Sequence, residues 1–350
     1  MRPSPSTERR GPSLLVPQTS FLGDVVLTTP LLTALRERLA PRRLAVLVRP
    51  EAAGLLRGHP DVDDVLVDDK RGADRGPAGL LRVARRLRAE RFEVAVCPHR
   101  SLRTALVLAL AGVPRRIGFD ASRGWFLFHE RVHRDRGRHD VERNLALMEA
   151  VGGWSGPPRL HVPVAAAAAR QAAALLGDGW DRPMAVLAPG SVWHTKRWTR
   201  AGFAALARAL GERGVRCVLV GAAADVERAR AIAEAAGPDV LDLTGRTDLA
   251  TLTAVIDRGQ VLVGNDSAPM HLATARAVPV VAVFCATTTA FGYGPYGRET
   301  RVVEADLACR PCGRHGGHRC PRGTEDCRHL VQPQQVLEAT LALLGARAGG

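Results

Sequence analysis

Short apolar runs alternate with longer amphipathic segments along most of the chain. In the first half, the apolar runs predict strands and the segments between them predict helices. The predicted strands are Leu14–Val16, Leu44–Val48, Val65–Val67 and Glu93–Val96, and the predicted helices are Asp24–Leu39 and Ala78–Ala89. This alternation is typical of parallel sheets whose strands are joined by crossover helices.

The pattern restarts after GGWSGPPRLHVP at 152–163, a break rich in Gly and Pro that predicts a linker. The strands predicted after it are Met184–Leu187, Arg216–Val220, Val240–Leu243, Gln260–Val263 and Val278–Phe284. The helices predicted there are Val164–Leu176, Arg200–Glu212, Ala224–Ala236, Leu249–Asp257, Pro269–Arg276 and Gln334–Leu344. We therefore expect an α/β protein of two doubly wound halves, with a ligand in the cleft between them.

Polar residues interrupt the apolar pattern where the strand Gln260–Val263 ends. The segment GNDSAPMH, residues 264–271, follows that strand and opens the next helix. Ser267 is a typical helix cap and Pro269 suits a first helical turn, so capping alone is one interpretation. Capping does not account for Asp266 or for His271 on the same helical face. Because a helix N-terminus attracts anions, we predict a site for a diphosphate here.

A second polar loop, APGSVWHTKRW at 188–198, leaves the first strand of the second half. Ser191, Thr195 and Lys196 are residue types that bind phosphate, through hydroxyl donors and a point charge. The loop lacks the glycine spacing of a Walker motif, and a solvated basic loop is the alternative. Lys196 stands out because the 49 lysine and arginine residues of the chain include only two lysines, Lys70 and Lys196.

The third element is FLGDVVLTTP at 21–30, after the first strand. Asp24 is a common type of helix cap, which is sufficient to account for its presence. It would also lie at a strand's carboxyl end, facing the cleft. A carboxylate in that position could accept a proton from an acceptor hydroxyl.

Composition and charge narrow the choice of partner. The formal net charge of +14 favours anionic partners, but no basic stretch is rich in aromatic residues, so nucleic acid is not expected. The first residues lack the apolar core of a secretory signal, and no run is long enough to span a bilayer. We expect a cytoplasmic protein. Peripheral contact of its basic patches with the anionic inner membrane is an alternative that the sequence leaves open.

Together these elements resemble glycosyltransferase family 9, the bacterial heptosyltransferases. The resemblance is carried by FLGDVVLTTPLLTALR, GVPRRIGFD, APGSVWHTKRW, LTGRTDLATLTAVI and NDSAPMHLA, and it extends over nearly the whole chain. It implies a GT-B fold with an acceptor-binding Rossmann-like domain at 1–163, a donor domain at 164–332 and a terminal helix and tail at 333–350. It also implies transfer of heptose from ADP-L-glycero-D-manno-heptose to a lipid-linked inner-core sugar of lipopolysaccharide, with inversion and without a catalytic metal or other cofactor.

The resemblance also implies roles for individual residues. Asp24 matches the catalytic base, Lys196 matches the lysine on the donor phosphates with Ser191 and Thr195 beside it, and Asp266 matches the acid facing the donor sugar. Ser267, Ala268 and His271 match the phosphate-side turn, although many relatives have Gly where Ala268 stands. For the ribose, Asp225 and Glu227 remain alternatives, with Glu227 favoured, and adenine is assigned only to the region Leu243–Leu249.

The last polar feature is a cysteine-rich tail, 309–327, which is most similar to the heptosyltransferase II branch. A structural zinc site formed by four cysteines is one interpretation, and reduced thiols or a redox-labile pair is the other. Those cysteines are Cys309, Cys312, Cys320 and Cys327. Two further alternatives concern function: a family 9 enzyme that uses another nucleotide sugar in surface polysaccharide or secondary metabolite synthesis, and a zinc-containing nucleic-acid-binding protein.

Overall fold

Two compact units make up the chain, Met1–Pro163 and Val164–Gly350. The computed structural model describes residues 11–177 and 182–348. Each unit is built on one six-stranded sheet in which every pair of neighbouring strands is parallel. The α/β class and the doubly wound halves predicted from the alternating pattern are confirmed.

In the described part of the first unit, strands alternate with helices except for the fifth and sixth strands, which are joined by a short helical turn. Its elements are β1 (Gly11–Pro17), α1 (Leu22–Leu39), β2 (Pro41–Val48), α2 (Ala53–Leu56), β3 (Asp64–Val67), α3 (Gly76–Ala89), β4 (Val94–Cys97), α4 (Leu102–Leu110), β5 (Arg115–Phe119), β6 (Glu130–Val132) and α5 (Asp140–Ala146).

The second unit opens with a helix and then repeats the alternation. Its elements are α6 (Ala166–Leu176), β7 (Met184–Ala188), α7 (Arg200–Gly211), β8 (Arg216–Leu219), α8 (Val226–Ala236), β9 (Val240–Asp242), α9 (Leu249–Asp257), β10 (Val261–Asn265), α10 (Ala268–Ala275), β11 (Val280–Phe284), β12 (Thr300–Glu304), α11 (Asp326–His329) and α12 (Pro333–Ala348).

The two sheets have the same topology. Their strand orders are β3-β2-β1-β4-β5-β6 and β12-β11-β10-β7-β8-β9, so that the first and fourth strands of each unit are neighbours at its centre. At these two pairs the order in which successive strands are added to the sheet reverses, and the loops that leave the paired strands therefore lead to opposite faces. Ligands of doubly wound sheets bind at this switch point, beyond the carboxyl ends of the strands. The fold thus marks the loops after β1, β4, β7 and β10.

Several elements have no apolar pattern and were not predicted. Strand β5 begins with two arginines, β6 has only three residues, and β12 is an edge strand of five residues, two of which, Arg301 and Glu304, are charged. Helix α5 buries polar side chains, among them Asp140 and Asn144, so its buried face does not appear hydrophobic in the sequence. Helix α1 begins at Leu22, two residues before the predicted start.

Apolar side chains of the central strands form the cores. Leu15 and Ala95 of the first sheet are fully buried, as are Leu187 and Val263 of the second. The terminal segment 333–350, which the sequence set apart, contributes to the second core, because α12 packs Val336 against it. Among the described helices, none combines the length and the apolar character needed to cross a bilayer.

Candidate functional site

The first candidate residue, Asp24, lies at the switch point of the first unit, three residues past the N-cap Phe21 of α1. Its carboxylate accepts hydrogen bonds from the Phe21 backbone N–H at 3.1 Å and from the Ser20 hydroxyl at 2.7 Å. The carboxylate therefore does cap the helix, as the simpler interpretation held. Capping alone, however, would lower its pKa, because a helix N-terminus stabilises negative charge.

The pKa of Asp24 moves in the opposite direction. Burial and, to a lesser extent, the neighbouring negative charge of Asp140 raise it to about 6, against the lowering effects of Ser20, the Phe21 N–H and Arg100. A carboxylate with a pKa near 6 is ionised at neutral pH and is still basic enough to accept a proton from a reacting hydroxyl. Asp24 thus has the protonation behaviour expected of a general base.

His99, which follows β4 at the same switch point, is the other nearby group that could accept a proton. Its Nδ1 lies 2.8 Å from the Thr104 hydroxyl and 3.2 Å from that of Thr19. Burial, together with the positive charges of Lys70 and Arg100, lowers the pKa of His99 to about 3. So low a pKa makes His99 a weak base, and Asp24 remains the better candidate.

Basic side chains around this switch point were not assigned from the sequence. Lys70 donates to the Thr19 backbone carbonyl at 2.5 Å, and Arg49 is buried beside it. Burial and the charges of Arg49 and neighbouring arginines lower the pKa of Lys70. The sequence did hold a signal, because Arg49 directly follows β2 and Lys70 is one of the two lysines.

The centre of the second candidate site is the fully buried Asn265 at the end of β10. Its side-chain oxygen accepts the Trp198 backbone N–H at 2.9 Å, and its amide group donates to the Pro189 carbonyl at 2.8 Å. Trp198 is itself fully buried, and its indole N–H donates to the Val331 carbonyl. Asn265 thereby fixes both ends of the 189–198 loop to β10, a role that the sequence did not reveal.

These two hydrogen bonds of the Asn265 side chain, which we call the Asn265 clamp, bring Lys196 and Asp266 together. The ammonium of Lys196 lies 2.7 Å from the Asp266 carboxylate, and the Thr287 hydroxyl donates to the same oxygen at 2.7 Å. The two charged side chains are only 13% and 10% exposed, so their attraction is weakly screened by solvent. The structure thus joins the two polar elements that the sequence placed 70 residues apart.

Helix α10 starts directly after this pair. Ser267 occupies its N-cap position, Ala268 begins it and Pro269 lies in its first turn, as predicted. The expectation that the Ser267 side chain caps the helix is wrong, because its hydroxyl donates to the Asn265 carbonyl at 3.3 Å instead. His271 is buried one turn further along. The first-turn N–H groups of α10 point away from the helix body, as an anion site requires.

Three other residues predicted to bind the nucleotide-sugar donor differ in their contacts and exposure. The Thr195 hydroxyl donates to the Gly317 carbonyl and accepts the Gly317 N–H at 2.8 Å, so it anchors the cysteine-rich tail. The Ser191 carbonyl accepts a hydrogen bond from Arg197 at 2.7 Å. Glu227 lies exposed in the first turn of α8.

Asp225, the alternative to Glu227, is buried where the loops after β7 and β8 meet. Its carboxylate accepts the Ala222 N–H at 3.2 Å and fills the space where a Cβ of Gly190 would lie. Only glycine at position 190 permits this approach. The contacts of Asp225 thus account for its burial, while the exposed carboxylate of Glu227 is accessible to a ligand. The assignment of the ribose contact stays a prediction.

Comparisons with known proteins identify the family of this chain. The sequence model of Glycosyltransferase family 9 (heptosyltransferase) matches residues 80–318, more than half of the chain. This chain belongs to glycosyltransferase family 9. It is therefore a glycosyltransferase, and that prediction is confirmed.

Similar proteins are bacterial enzymes of the same family. Lipopolysaccharide heptosyltransferase 2 of Salmonella typhimurium is 25% identical over 350 residues, which covers 95% of this chain and 98% of the relative. A family 9 glycosyltransferase of Veillonella parvula has a TM-score of 0.85 at 25% identity, with coverage of 95% and 97%. The ADP-heptose lipopolysaccharide heptosyltransferase II of Escherichia coli has a TM-score of 0.79 at 25% identity, with coverage of 96% and 99%. The GT-B fold class is thereby confirmed.

The cysteine-rich tail of this glycosyltransferase packs on its candidate donor loop. Besides the Gly317 contact with Thr195, the Cys312 N–H donates to the Ala286 carbonyl at 2.9 Å. The ring of His318 lies 4.9 Å from the ring of Trp193. The tail therefore supports the backbone next to Lys196.

The thiols of the tail lie close enough to influence one another. Burial raises the pKa of Cys312, and nearby Cys309 and Cys320 raise it further. Burial and the other three thiols raise the pKa of Cys327 to about 11. Within residues 11–177 and 182–348, however, no group of three or more His, Cys, Asp or Glu side chains is arranged to hold a metal ion. A structural zinc site at these cysteines stays a prediction.

The Asn265 clamp generates a first prediction. Asn265→Ala leaves the Trp198 N–H and the Pro189 carbonyl buried without this partner, at a cost of about 1–3 kcal/mol for each unpaired group. We expect a lower free energy of unfolding in urea and, because the Lys196 loop loses its attachment, weaker binding of ADP in calorimetry.

Gln260→Ala is a matched control. The Gln260 side chain joins the same two strands at their other ends, because it accepts the Met184 N–H at 2.6 Å. Gln260→Ala should reduce stability but leave ADP binding unchanged. Equal loss of ADP affinity in both variants would assign Asn265 a role in general stability only.

Proposed function

We propose that this enzyme transfers heptose from ADP-L-glycero-D-manno-heptose to the inner core of lipopolysaccharide or a related glycan, inverting the anomeric centre. The observation that carries the proposal is the Lys196–Asp266 pair beside the N-terminus of α10, at the switch point of the second unit. A lysine and a helix N-terminus suit a diphosphate, and a buried acid beside them suits the hydroxyl groups of a sugar. The names of the relatives support the choice of sugar and nucleotide.

In the proposed reaction, an acceptor hydroxyl attacks the anomeric carbon while the bond to the diphosphate oxygen breaks. The electron pair leaves with ADP, whose developing negative charge Lys196 and the N–H groups of α10 would stabilise. The hydroxyl proton would pass to Asp24, whose raised pKa suits that transfer. No cofactor takes part in these steps.

The acceptor is lipid-linked in this proposal. We therefore place the enzyme in the cytoplasm, in peripheral contact with the inner membrane. A family 9 enzyme that uses another nucleotide sugar is the second candidate, since Lys196 and α10 would suit any sugar diphosphate. Calorimetry with ADP-heptose against ADP-, GDP- and UDP-hexoses separates the two: the proposal requires ADP-heptose to bind most tightly.

The Lys196–Asp266 pair predicts opposite effects for two substitutions. Lys196→Met should weaken ADP binding by roughly 10- to 100-fold, because a charge-assisted phosphate contact contributes about 1.5–3 kcal/mol. Asp266→Asn removes the group that competes for the lysine, so ADP should bind at least as tightly as to the wild type. Transfer should nevertheless fall if Asp266 contacts the sugar. Isothermal calorimetry and a transfer assay measure the two effects.

Lys196→Met alone also leaves Asp266 buried without its counter-charge, which reduces stability. The double variant Lys196→Met/Asp266→Asn removes both charges and serves as the control for that effect. It should bind ADP as weakly as Lys196→Met. ADP affinity near the wild-type value in the double variant would remove Lys196 from the donor site.

The raised pKa of Asp24 predicts how Asp24→Asn behaves. Asparagine can accept the same hydrogen bonds from Ser20 and Phe21 but cannot take up the proton, so transfer should fall by roughly 100- to 10,000-fold. In the wild type, kcat/KM should decline as the pH falls below about 6, the folded-state pKa of Asp24. Donor binding should not change.

Thermal melting distinguishes this role from capping. A carboxyl whose pKa rises on folding contributes stability below its unfolded value of 3.8 and loses that contribution as the pH rises through about 6. Asp24→Asn should therefore melt at the same or a higher temperature than the wild type above pH 6, with a smaller difference near pH 4. A less stable variant with near-normal turnover would show that Asp24 is only a cap.

We also propose that the four tail cysteines hold a structural zinc ion, which would draw together side chains that are not arranged as a metal site among the described residues. The support is the Cys-x-x-Cys spacing of Cys309 and Cys312, with Cys320 and Cys327 in the same tail. Protein purified without added metal should then contain close to one zinc per chain. A chelator should lower the Tm and, through the Gly317 contact with Thr195, weaken ADP binding. Absence of stoichiometric metal, or a Tm unaffected by Cys309→Ser/Cys312→Ser, would contradict this proposal.

A further inference from the structure

One face of α4 in the first unit is apolar and exposed. Leu102, Leu106 and Leu110 are spaced four residues apart, so they lie on one side of the helix. Leu102 is 39% exposed and Leu110 is 43% exposed, Leu106 between them is partly buried, and Leu108 on the opposite side is fully buried in the core. Leu102 and Leu110 therefore present apolar surface to solvent on the side of α4 that faces away from the core.

Two aromatic side chains extend this face. Trp125 and Phe126 are 47% and 59% exposed, and they lie on a short helical turn that packs against α4. Gly124 fixes the turn there, because a Cβ at this position would meet Ala105. We call the three leucines with Trp125 and Phe126 the apolar face. Exposed apolar side chains that are grouped in this way usually mark a binding surface.

Positive charge borders the apolar face. Helix α3 packs beside α4, and the segment 75–89 contains five arginines and no acidic residue. Of these, Arg85 and Arg88 are exposed, and the Arg88 guanidinium lies 3.8 Å from the position of a Cβ on Gly112, just past the end of α4. At the aromatic end, the guanidinium of Arg131 lies 5.2 Å from the centre of the Trp125 ring.

We propose that the apolar face and α3 form a surface that binds an anionic lipid bilayer. Trp, Phe and Leu side chains partition into the boundary between headgroups and acyl chains. Arginines at the border of such a surface keep their charges among anionic headgroups, to which they are attracted. The apolar face alone would also suit a second copy of the chain, but pairing two copies would bring together two helices that keep a net positive charge even though Asp74 pairs with Arg82 and Arg86.

The proposal depends on the proposed function only for the choice of lipid as the partner, because a lipid-linked acceptor places the enzyme at a membrane. Its residues are separate from the candidate donor and base residues. Lipid binding is therefore measured without any transfer reaction, and a failure to bind lipid leaves the proposed transfer activity unaffected.

Flotation of the full chain with lipid vesicles tests the surface. The wild type should float with vesicles of phosphatidylglycerol and phosphatidylcholine in equal parts and not with phosphatidylcholine alone. Trp125→Ser/Phe126→Ser should lower the bound fraction by at least about tenfold. Arg85→Gln/Arg88→Gln should also lower it and make the remaining binding less sensitive to salt.

Leu330→Ser is the matched control, because Leu330 is 51% exposed and lies in the second unit, outside the apolar face. It should float like the wild type, and all variants should keep wild-type ADP affinity, which shows that they fold. The variant Leu106→Ser/Phe126→Ser retains Trp125. Quenching of Trp125 fluorescence by lipids with brominated acyl chains therefore gives an independent measure of insertion in this variant and in the wild type.

Two outcomes would overturn the proposal. One is a wild type that does not float with anionic vesicles, or that floats equally well after Trp125→Ser/Phe126→Ser. The other is a double variant that converts a dimer into a monomer in sedimentation while lipid binding is unchanged, because the apolar face would then be an interface between copies of this chain.

Discussion

The Asn265 side chain is the interaction on which the candidate donor site depends. Backbone pairing between β7 and β10 ends at Ala188 and Gly264, and beyond it the two loops diverge to different helices. Asn265 continues the connection, because its amide binds the Pro189 carbonyl and the Trp198 N–H, one at each end of the loop. A side chain that is an acceptor and a donor at once is required there, and it must be short enough to remain inside the sheet edge.

The position of Lys196 follows from this clamp. It lies two residues before Trp198, and Asp266 directly follows Asn265, so the same hydrogen bonds that close the loop bring both charges to 2.7 Å. Without a donor, the pair satisfies both buried charges. A diphosphate would offer Lys196 a second anion at the N-terminus of α10, and the Thr287 hydroxyl would still hold the Asp266 carboxylate. The site is thus organised before the ligand arrives, which reduces the cost of ordering it on binding.

Much of this architecture could be predicted from the sequence, since apolar runs of the central strands fix the alternation of strands and helices. Asp24, Lys196 and Asp266 were also singled out as candidate site residues, because polar side chains directly after buried strands stand out, whereas the role of Asn265 and the basic residues Lys70 and Arg49 were missed. Their contacts were not predictable. Thr195 has the residue type of a phosphate ligand, yet its hydroxyl anchors Gly317, 122 residues away. Strands β5 and β6 and helix α5 were missed because charged or buried polar residues replace the apolar pattern there.

Asp24 shows how a site can be recognised by a conflict between local and tertiary effects. Its place in the first turn of α1 and its two hydrogen bonds both favour the ionised form. Burial and the nearby Asp140 outweigh them, and the pKa rises to about 6. A group kept only for capping would gain stability from the lower pKa that an exposed helix N-terminus provides. Asp24 instead reduces the stability of the folded chain at neutral pH, and the compensating advantage is a carboxylate able to accept a proton.

Asp140 cannot move away to relieve this conflict, because Arg134 and Arg143 hold its carboxylate in the buried face of α5. Arg134 and Arg143 thereby hold the Asp140 carboxylate in the position from which it raises the pKa of Asp24.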